Sequence, residues 1–147
     1  MKLMNNHSRG SLFLMEMIIT ILFFSVAATI CTQCFVKAHL IGIETTELNH
    51  AVALAQGYAE AMRGTDGDID SIIAVYPEAV KGDASYFEIF YDNDFNPCDA
   101  DIATYAGDVT LNPNGPVQNM DISIVRLSDS HIIYELTATK YMNKPRG

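Results

Sequence analysis

Two groups of closely spaced aspartates are the residues of this sequence best suited to bind a metal ion. Their members are Asp66, Asp68 and Asp70 in the first group, and Asp92, Asp94, Asp99 and Asp101 in the second. Hard cations such as Ca²⁺ prefer several carboxylate oxygens close together. Neither group has the sixth-position glycine or terminal glutamate of an EF-hand loop, and aspartate-rich loops are more often turn formers and helix caps. We therefore predict no cofactor. Of the two groups, the second is the better candidate for Ca²⁺, and in the first group Asp68 or Asp70 is well placed to cap a short helix.

Residues that could support catalysis are few. The four histidines are scattered along the chain, and His131, at the start of a predicted strand, has no suitable nucleophile near it in sequence. Cys31 and Cys34 have the spacing of a redox motif, but they lie inside an apolar run that supplies neither water nor a partner thiol. They are interpreted as small apolar residues, and the three cysteines of the chain cannot all form disulfides with one another. The sequence therefore predicts that the chain is not an enzyme.

The charge of the chain argues against a nucleic-acid ligand. The formal net charge is -9, and only nine lysines and arginines are dispersed over 147 residues. Binding to phosphates requires clustered basic side chains, so no direct nucleic-acid partner is predicted.

A hydrophobic segment near the N-terminus predicts a membrane span. Residues 17–36 include no charged side chain, and as a helix they extend about 30 Å, the hydrocarbon thickness of a bilayer. Lys2 and Arg9 precede the segment, whereas most of the acidic residues follow it, so we expect the N-terminus inside and the remainder outside the cytoplasmic membrane. Two alternatives are a secretory signal cleaved near Ala27 and an anchor that is never processed.

The residues just before the span carry a more specific signal. The string Arg-Gly-Ser-Leu-Phe-Leu-Met-Glu at 9–16 resembles the prepilin leader of type IV pilins and pseudopilins. The resemblance implies that Gly10 ends a leader at 1–10, that prepilin peptidase cuts there, and that Ser11 becomes the methylated N-terminus. Glu16 would set subunit register by pairing with the N-terminal amine of a neighbour. Cleavage after Gly10 puts Glu16 at the sixth mature position instead of the family's fifth, whereas cleavage after Ser11 restores the register.

The resemblance also implies a function and a set of partners. The chain would be a structural subunit of a pilus-like filament or pseudopilus, and the displaced Glu16 favours a minor subunit. Its partners would be other pilin-like subunits, the prepilin peptidase, membrane lipid, and the membrane assembly platform with its ATPase. A different class of protein, an unprocessed signal-anchored extracytoplasmic binding protein, is the main alternative.

Periodicity beyond the span predicts the fold. Apolar residues at Ile41, Leu48 and Val52 continue through Ala55, Ala59 and Met62 at helical spacing. With Gly64 as a stop signal, the pattern predicts a helix over 11–63 whose first half spans the membrane. A short helical pattern at 68–80 ends near Pro77.

The remaining residues, 64–147, are expected to form one small globular domain. Four segments rich in β-branched and aromatic residues predict strands, and the last two are joined by a short Ser-Asp-Ser link that favours a hairpin. The predicted strands are Ser85–Tyr91, Thr104–Leu111, Met120–Leu127 and His131–Tyr141. The fold class is therefore α+β, with a long N-terminal helix packed against an antiparallel sheet of about four strands.

Overall fold

The structure, a computed structural model, describes the backbone of residues 6–142 and the side chains of residues 10–142. The chain divides into two units after Glu44. In chain order the elements are α1 (Asn6–Gly64), α2 (Ile69–Ile73), β1 (Val80–Lys81), β2 (Tyr86–Tyr91), a 3-10 turn (Ala100–Ile102), β3 (Tyr105–Asn114), β4 (Val117–Arg126) and β5 (His131–Tyr141).

Helix α1 passes from the first unit into the second. It starts at Asn6, before the expected start at residue 11. It ends at Gly64, as the stop signal predicted. Lys140 of β5 stabilises this end by donating from Nζ to the carbonyl oxygens of Met62, at 3.0 Å, and of Arg63 and Thr65.

The second unit contains a five-stranded antiparallel sheet in the order β1-β2-β3-β4-β5. The α+β prediction is thus confirmed, including the hairpin of β4 and β5, which pairs Ile122 with Leu136 and Ile124 with Tyr134. The additional strand β1 is only two residues long, too short to give a periodic signal, and it pairs with β2. It was not predicted.

The core lies between the sheet and the part of α1 after Glu44. Alternation along β2 and β4 directs one set of side chains inward, and the period of α1 supplies the other. The largest fully buried side chains are Tyr58, Phe87, Met62, Ile72, Ile89, Met120, Ile124 and Val109.

The buried stripe of α1 differs from the predicted one. Ala55, Ala59 and Met62 are buried as expected, but Ile41 and Leu48 are exposed, and Val52 is only half-buried. The actual stripe passes through Glu47, Ala51 and Tyr58. In the first turns the buried positions are therefore one residue earlier than predicted. The prediction followed the largest side chains, whereas small alanines at four-residue spacing allow the helix to lie close to the sheet.

Helix α2 is shorter than the predicted 68–80 segment. Asp68 is its N-cap and accepts a hydrogen bond from the Ser71 amide at 3.1 Å. Of the two predicted caps, Asp68 and Asp70, the first is therefore the actual one. Tyr76 lies beyond the end of the helix, since the residue before Pro77 is disfavoured in α conformation. Its ring packs edge-on against Tyr58, with centroids 5.1 Å apart.

Candidate membrane and assembly interface

The part of the first unit whose side chains the structure describes, residues 10–44, exposes nearly all of its apolar side chains. Between residues 10 and 46 only Ala27 is even partly covered, and Phe23 is 69% exposed. A core helix of a soluble protein would bury such side chains against its own domain. By length and composition this helix could span a membrane, a property that it shares with signal sequences.

The hydroxyl groups of the apolar segment are satisfied within the helix itself. Thr20, Ser25, Thr29 and Thr32 each donate to the carbonyl oxygen four residues earlier, at 2.8 to 2.9 Å. An unsatisfied hydroxyl would be costly in hydrocarbon, so these bonds adapt the segment to an apolar surrounding. The segment thus presents an almost continuous apolar surface that is compatible with membrane anchoring.

Glu16 is the exception on this surface. Its side chain is exposed in a shallow depression lined by Leu12, Met15, Ile19 and Thr20. Within the part of the chain whose side chains are described, no hydrogen bond or ion pair engages its carboxylate. Gly10 and Ser11 lie on the same helix, both exposed. Cleavage at Gly10 or Ser11, methylation of Ser11 and pairing of Glu16 stay predictions.

A buried charged cluster begins the second unit, and the sequence reasoning missed it. Glu47, 9% exposed, accepts a hydrogen bond from Tyr105 Oη at 2.7 Å and another from Arg126 Nε at 3.2 Å, both on Oε1. Arg126 also bonds Glu47 Oε2 through Nη2, and it donates from Nη1 to Asp129 at 3.0 Å. These contacts fasten the first turn of the packed part of α1 to the ends of β3 and β4.

The electrostatics of this cluster favour its ionised form. Burial alone would raise the pKa of Glu47, but the hydrogen bonds from Arg126 and Tyr105 and the positive charge of Arg126 outweigh it and lower the pKa. Burial and the Glu47 carboxylate together raise the pKa of Tyr105 to about 12. The signal that could have revealed the cluster is spacing, because Glu47 precedes Ala51, Ala55 and Ala59 at intervals of four and hence shares their buried stripe.

The loop after β2 contains the predicted Ca²⁺ residues. Asp92 Oδ1 accepts hydrogen bonds from the backbone amides of Asp94 and Asn96, both at 2.9 Å, and the bond from Asn96 chiefly lowers the Asp92 pKa. Asp92 therefore shapes the loop, while Asp94, Asp99 and Asp101 are exposed. Over the described residues, no group of three or more His, Cys, Asp or Glu side chains is arranged to hold a metal ion. The structure thus does not bring the four aspartates together.

Aromatic stacking holds the same loop against the domain. Phe95, in left-handed backbone conformation with φ 61°, lies between two nearly parallel rings. The His50 ring is 4.7 Å away on one side and the Tyr105 ring 4.2 Å away on the other, measured between centroids. His50 is thus a stacking partner on α1.

Comparisons with protein-family models, with curated proteins and with solved structures found no match. Functional inference for this chain therefore depends on its own residues and their geometry.

Proposed function

We propose that this chain is a minor structural subunit of a type IV pilus-like filament or pseudopilus. The observation that carries the proposal is the exposed apolar stretch of α1, which continues without interruption into the helix that forms the core of the folded domain. Such an element holds a domain at the membrane and offers an apolar surface for packing against the same element of other subunits.

The length of the apolar surface favours assembly over simple anchoring. A span of 20 residues crosses about 30 Å of hydrocarbon, and residues 17–36 are sufficient for it. Leu40, Ile41 and Ile43 lie beyond that span and are still about half exposed, at 53%, 61% and 47%. Apolar side chains outside the lipid are expected to pack against other protein chains.

The residues before the span support processing. In the proposed pathway the chain enters the cytoplasmic membrane with its N-terminus inside, and prepilin peptidase removes residues 1–10. Ser11 is then methylated, and the platform with its ATPase moves the subunit from lipid into the filament. There the Glu16 carboxylate pairs with the N-terminal amine of a neighbouring subunit. In low dielectric such a pair sets the axial register of the helices even where it adds little stability.

Mass spectrometry of the mature N-terminus tests the proposal. The chain is produced in cells with and without a prepilin peptidase and purified by a C-terminal tag. We expect a methylated N-terminus at Ser11, or at Leu12 if cleavage follows Ser11, only when the peptidase is present. A Gly10→Val variant should retain the leader, whereas the matched Gly42→Val variant should be processed normally. An intact Met1 in both strains supports an unprocessed anchored binding protein, and a new end near Ala28 supports a secretory signal; either result overturns the proposal.

Filament incorporation tests the role of Glu16 separately. Sheared filaments are assayed for the unchanged chain, for Glu16→Ala, and for Glu44→Ala as a control that removes an exposed acid beyond the span. We expect Glu16→Ala alone to lose incorporation while its processing stays intact. Equal incorporation of all three chains would disprove the register pair and leave the processing result unaffected.

A further inference from the structure

The two edges of the sheet differ greatly in length. Strand β1 at one edge has two residues, whereas β5 at the other has eleven and pairs, over the residues that the structure describes, only with β4. Short edge strands are a common protection against pairing with other chains. Strand β5 has no proline, and its formally charged residues are Glu135 and Lys140. It is therefore a long edge that remains open to another strand.

The hydrogen-bond pattern identifies the backbone groups that face outward. The Met142 amide donates to the Pro116 carbonyl at 2.7 Å, so Met142 points its backbone toward β4. In an antiparallel ladder this direction alternates from residue to residue. Going back along β5, Glu135, Thr137 and Thr139 consequently direct their N–H and C=O groups away from β4, where an added strand would lie.

A groove runs along the inner side of this edge. It has a volume of about 400 Å³ and is lined by Gln56, Ala59, Glu60 and Arg63 of α1 and by Tyr134 and Leu136 of β5. Tyr134 and Leu136 are only half-buried, because no further strand among residues 6–142 covers them. A strand added to β5 would place alternate side chains in this groove, where apolar groups would cover Tyr134 and Leu136.

The other face of the sheet is acidic beside the same edge. Cross-strand pairing aligns Glu88, Asp108, Ser123 and Glu135 in one row over β2 to β5. Tyr86 Oη donates to Glu88 at 3.1 Å and to Asp108 at 2.9 Å. Glu135 lies on β5 and is the carboxylate of this row nearest the open edge. The outward side chains of an added strand would extend this row and should therefore be basic.

We propose that β5 binds an extended polypeptide segment of alternating apolar and basic residues, which joins the sheet as a sixth strand. The apolar residues occupy the groove between β5 and α1, and the basic residues lie beside Glu135. Backbone hydrogen bonds to Glu135, Thr137 and Thr139 supply much of the affinity, and the alternation supplies the specificity. The proposal goes beyond filament assembly and does not depend on it.

A second copy of the chain fits this edge less well. Antiparallel pairing of two β5 strands adds a second Glu135 to the acidic edge and no basic partner on that face.

Amide hydrogen exchange of the full chain tests the proposal. The chain is held in nanodiscs of neutral phosphatidylcholine, and the probe is the synthetic peptide Lys-Val-Lys-Val-Lys-Val-Lys. We expect slower exchange at Glu135, Thr137 and Thr139 on addition of the probe. A shuffled peptide of the same composition and an alternating Glu-Val peptide should have no such effect. If the shuffled peptide protects these amides equally, or if none of the peptides does, the proposal is wrong.

Matched variants separate strand addition from general charge attraction. Thr137→Pro removes an outward amide without breaking the ladder to β4, and it should weaken binding at least about tenfold, whereas Thr137→Val should bind normally. Glu135→Lys should weaken binding, while Glu78→Lys, the same charge change at another exposed site, should have a smaller effect.

If Thr137→Pro fails to fold, the comparison of Glu135→Lys with Glu78→Lys still tests the proposal, and equal peptide affinities of these two variants would overturn it. Protection of β5 that depends on protein concentration without peptide would show that a second copy is the occupant, and would likewise overturn it.

Discussion

Residues 10–44 and residues 45–64 belong to the same helix, but they differ in what surrounds their apolar side chains. In the first stretch Leu22, Phe23 and Phe24 are about two-thirds exposed, and the hydroxyl groups nearby bond to their own helix. In the second, Ala51, Ala55 and Tyr58 are completely buried against the sheet. The helix geometry is common to both, so the difference lies in the pattern of side chains around the helix.

The two glutamates Glu16 and Glu47 make the same comparison for charge. Glu47 has its partners, Arg126 and Tyr105, within the domain, whereas Glu16 is exposed on the apolar surface. A buried charge is tolerated when it is paired, and Glu47 has its pairing partners inside the folded domain. The partner proposed for Glu16, the N-terminal amine of a neighbouring subunit, belongs to another chain.

The largest expected effect on the free energy of unfolding comes from replacing one phenylalanine by alanine, which should matter in the second region and not in the first. Phe87→Ala should lower the free energy of unfolding of the domain by about 3 to 5 kcal/mol, because Phe87 is fully buried. Phe24→Ala should leave that free energy unchanged. All seven tyrosines lie at or beyond Tyr58 and the chain has no tryptophan, so denaturation in detergent followed by tyrosine near-UV circular dichroism reports on the domain alone. If Phe24→Ala destabilises the domain comparably, the two regions are not energetically separate.

A smaller effect is expected from the two glutamates. Glu47→Gln should lower the free energy of unfolding by about 2 kcal/mol, since charge-assisted hydrogen bonds from Arg126 and Tyr105 are weakened inside the domain. Glu16→Gln should not change it. The same denaturation experiment measures both variants, and a Glu47→Gln chain as stable as the unchanged one would show that the buried cluster does not stabilise the fold.

Close packing supplies a third contrast, between two glycines. A Cβ atom at Gly107 of β3 would lie 2.7 Å from Tyr58 Oη and 3.3 Å from Ile124 Cδ1, whereas at Gly42 of α1 it would meet open space. Gly107→Ala should therefore destabilise the domain by about 1 kcal/mol or more, because Tyr58 is fully buried. Gly42→Ala should not destabilise it, and a loss of stability there would contradict the exposure of the first region.

Sequence reasoning predicted most of the fold, for reasons that individual residues make clear. Alternation at Ile122 and Ile124 identified a strand with one buried face, and the short link before His131 identified the hairpin. The end of α1 at Gly64 and the Asp68 cap followed from local backbone chemistry, which needs no tertiary information.

The missed features all depend on contacts between distant parts of the chain. Strand β1 exists only because β2 lies beside it, and the burial of Glu47 depends on an arginine 79 residues later. The exposed edge of β5 depends on strand order, which the sequence does not specify directly. Spacing alone indicates the candidate site at Asp92 to Asp101, and spacing carries no information on the hydrogen bonds that Asp92 accepts from its own loop.

The smallest expected effect is a pH dependence that should belong to the second region alone. Burial acts to raise the pKa of Glu47, but its bonds to Arg126 and Tyr105 prevail and hold it below the ordinary value of 4.5. Ionised Glu47 therefore stabilises the folded state fully above that pH, and the contribution is lost as the pH falls through the folded-state pKa. Asp68, Asp92 and Asp129 also have lowered pKa values, so the pH dependence of the unchanged chain alone would not isolate the contribution of Glu47. The difference in free energy of unfolding between the unchanged chain and Glu47→Gln does isolate that contribution, since the other carboxylates are common to both. This difference should be constant near neutral pH and should shrink below pH 4.5, whereas the corresponding difference for Glu16→Gln should be zero throughout. A Glu47 difference that stays constant down to full acid unfolding would mean that its effect comes from packing and hydrogen-bond geometry, with no contribution from its charge.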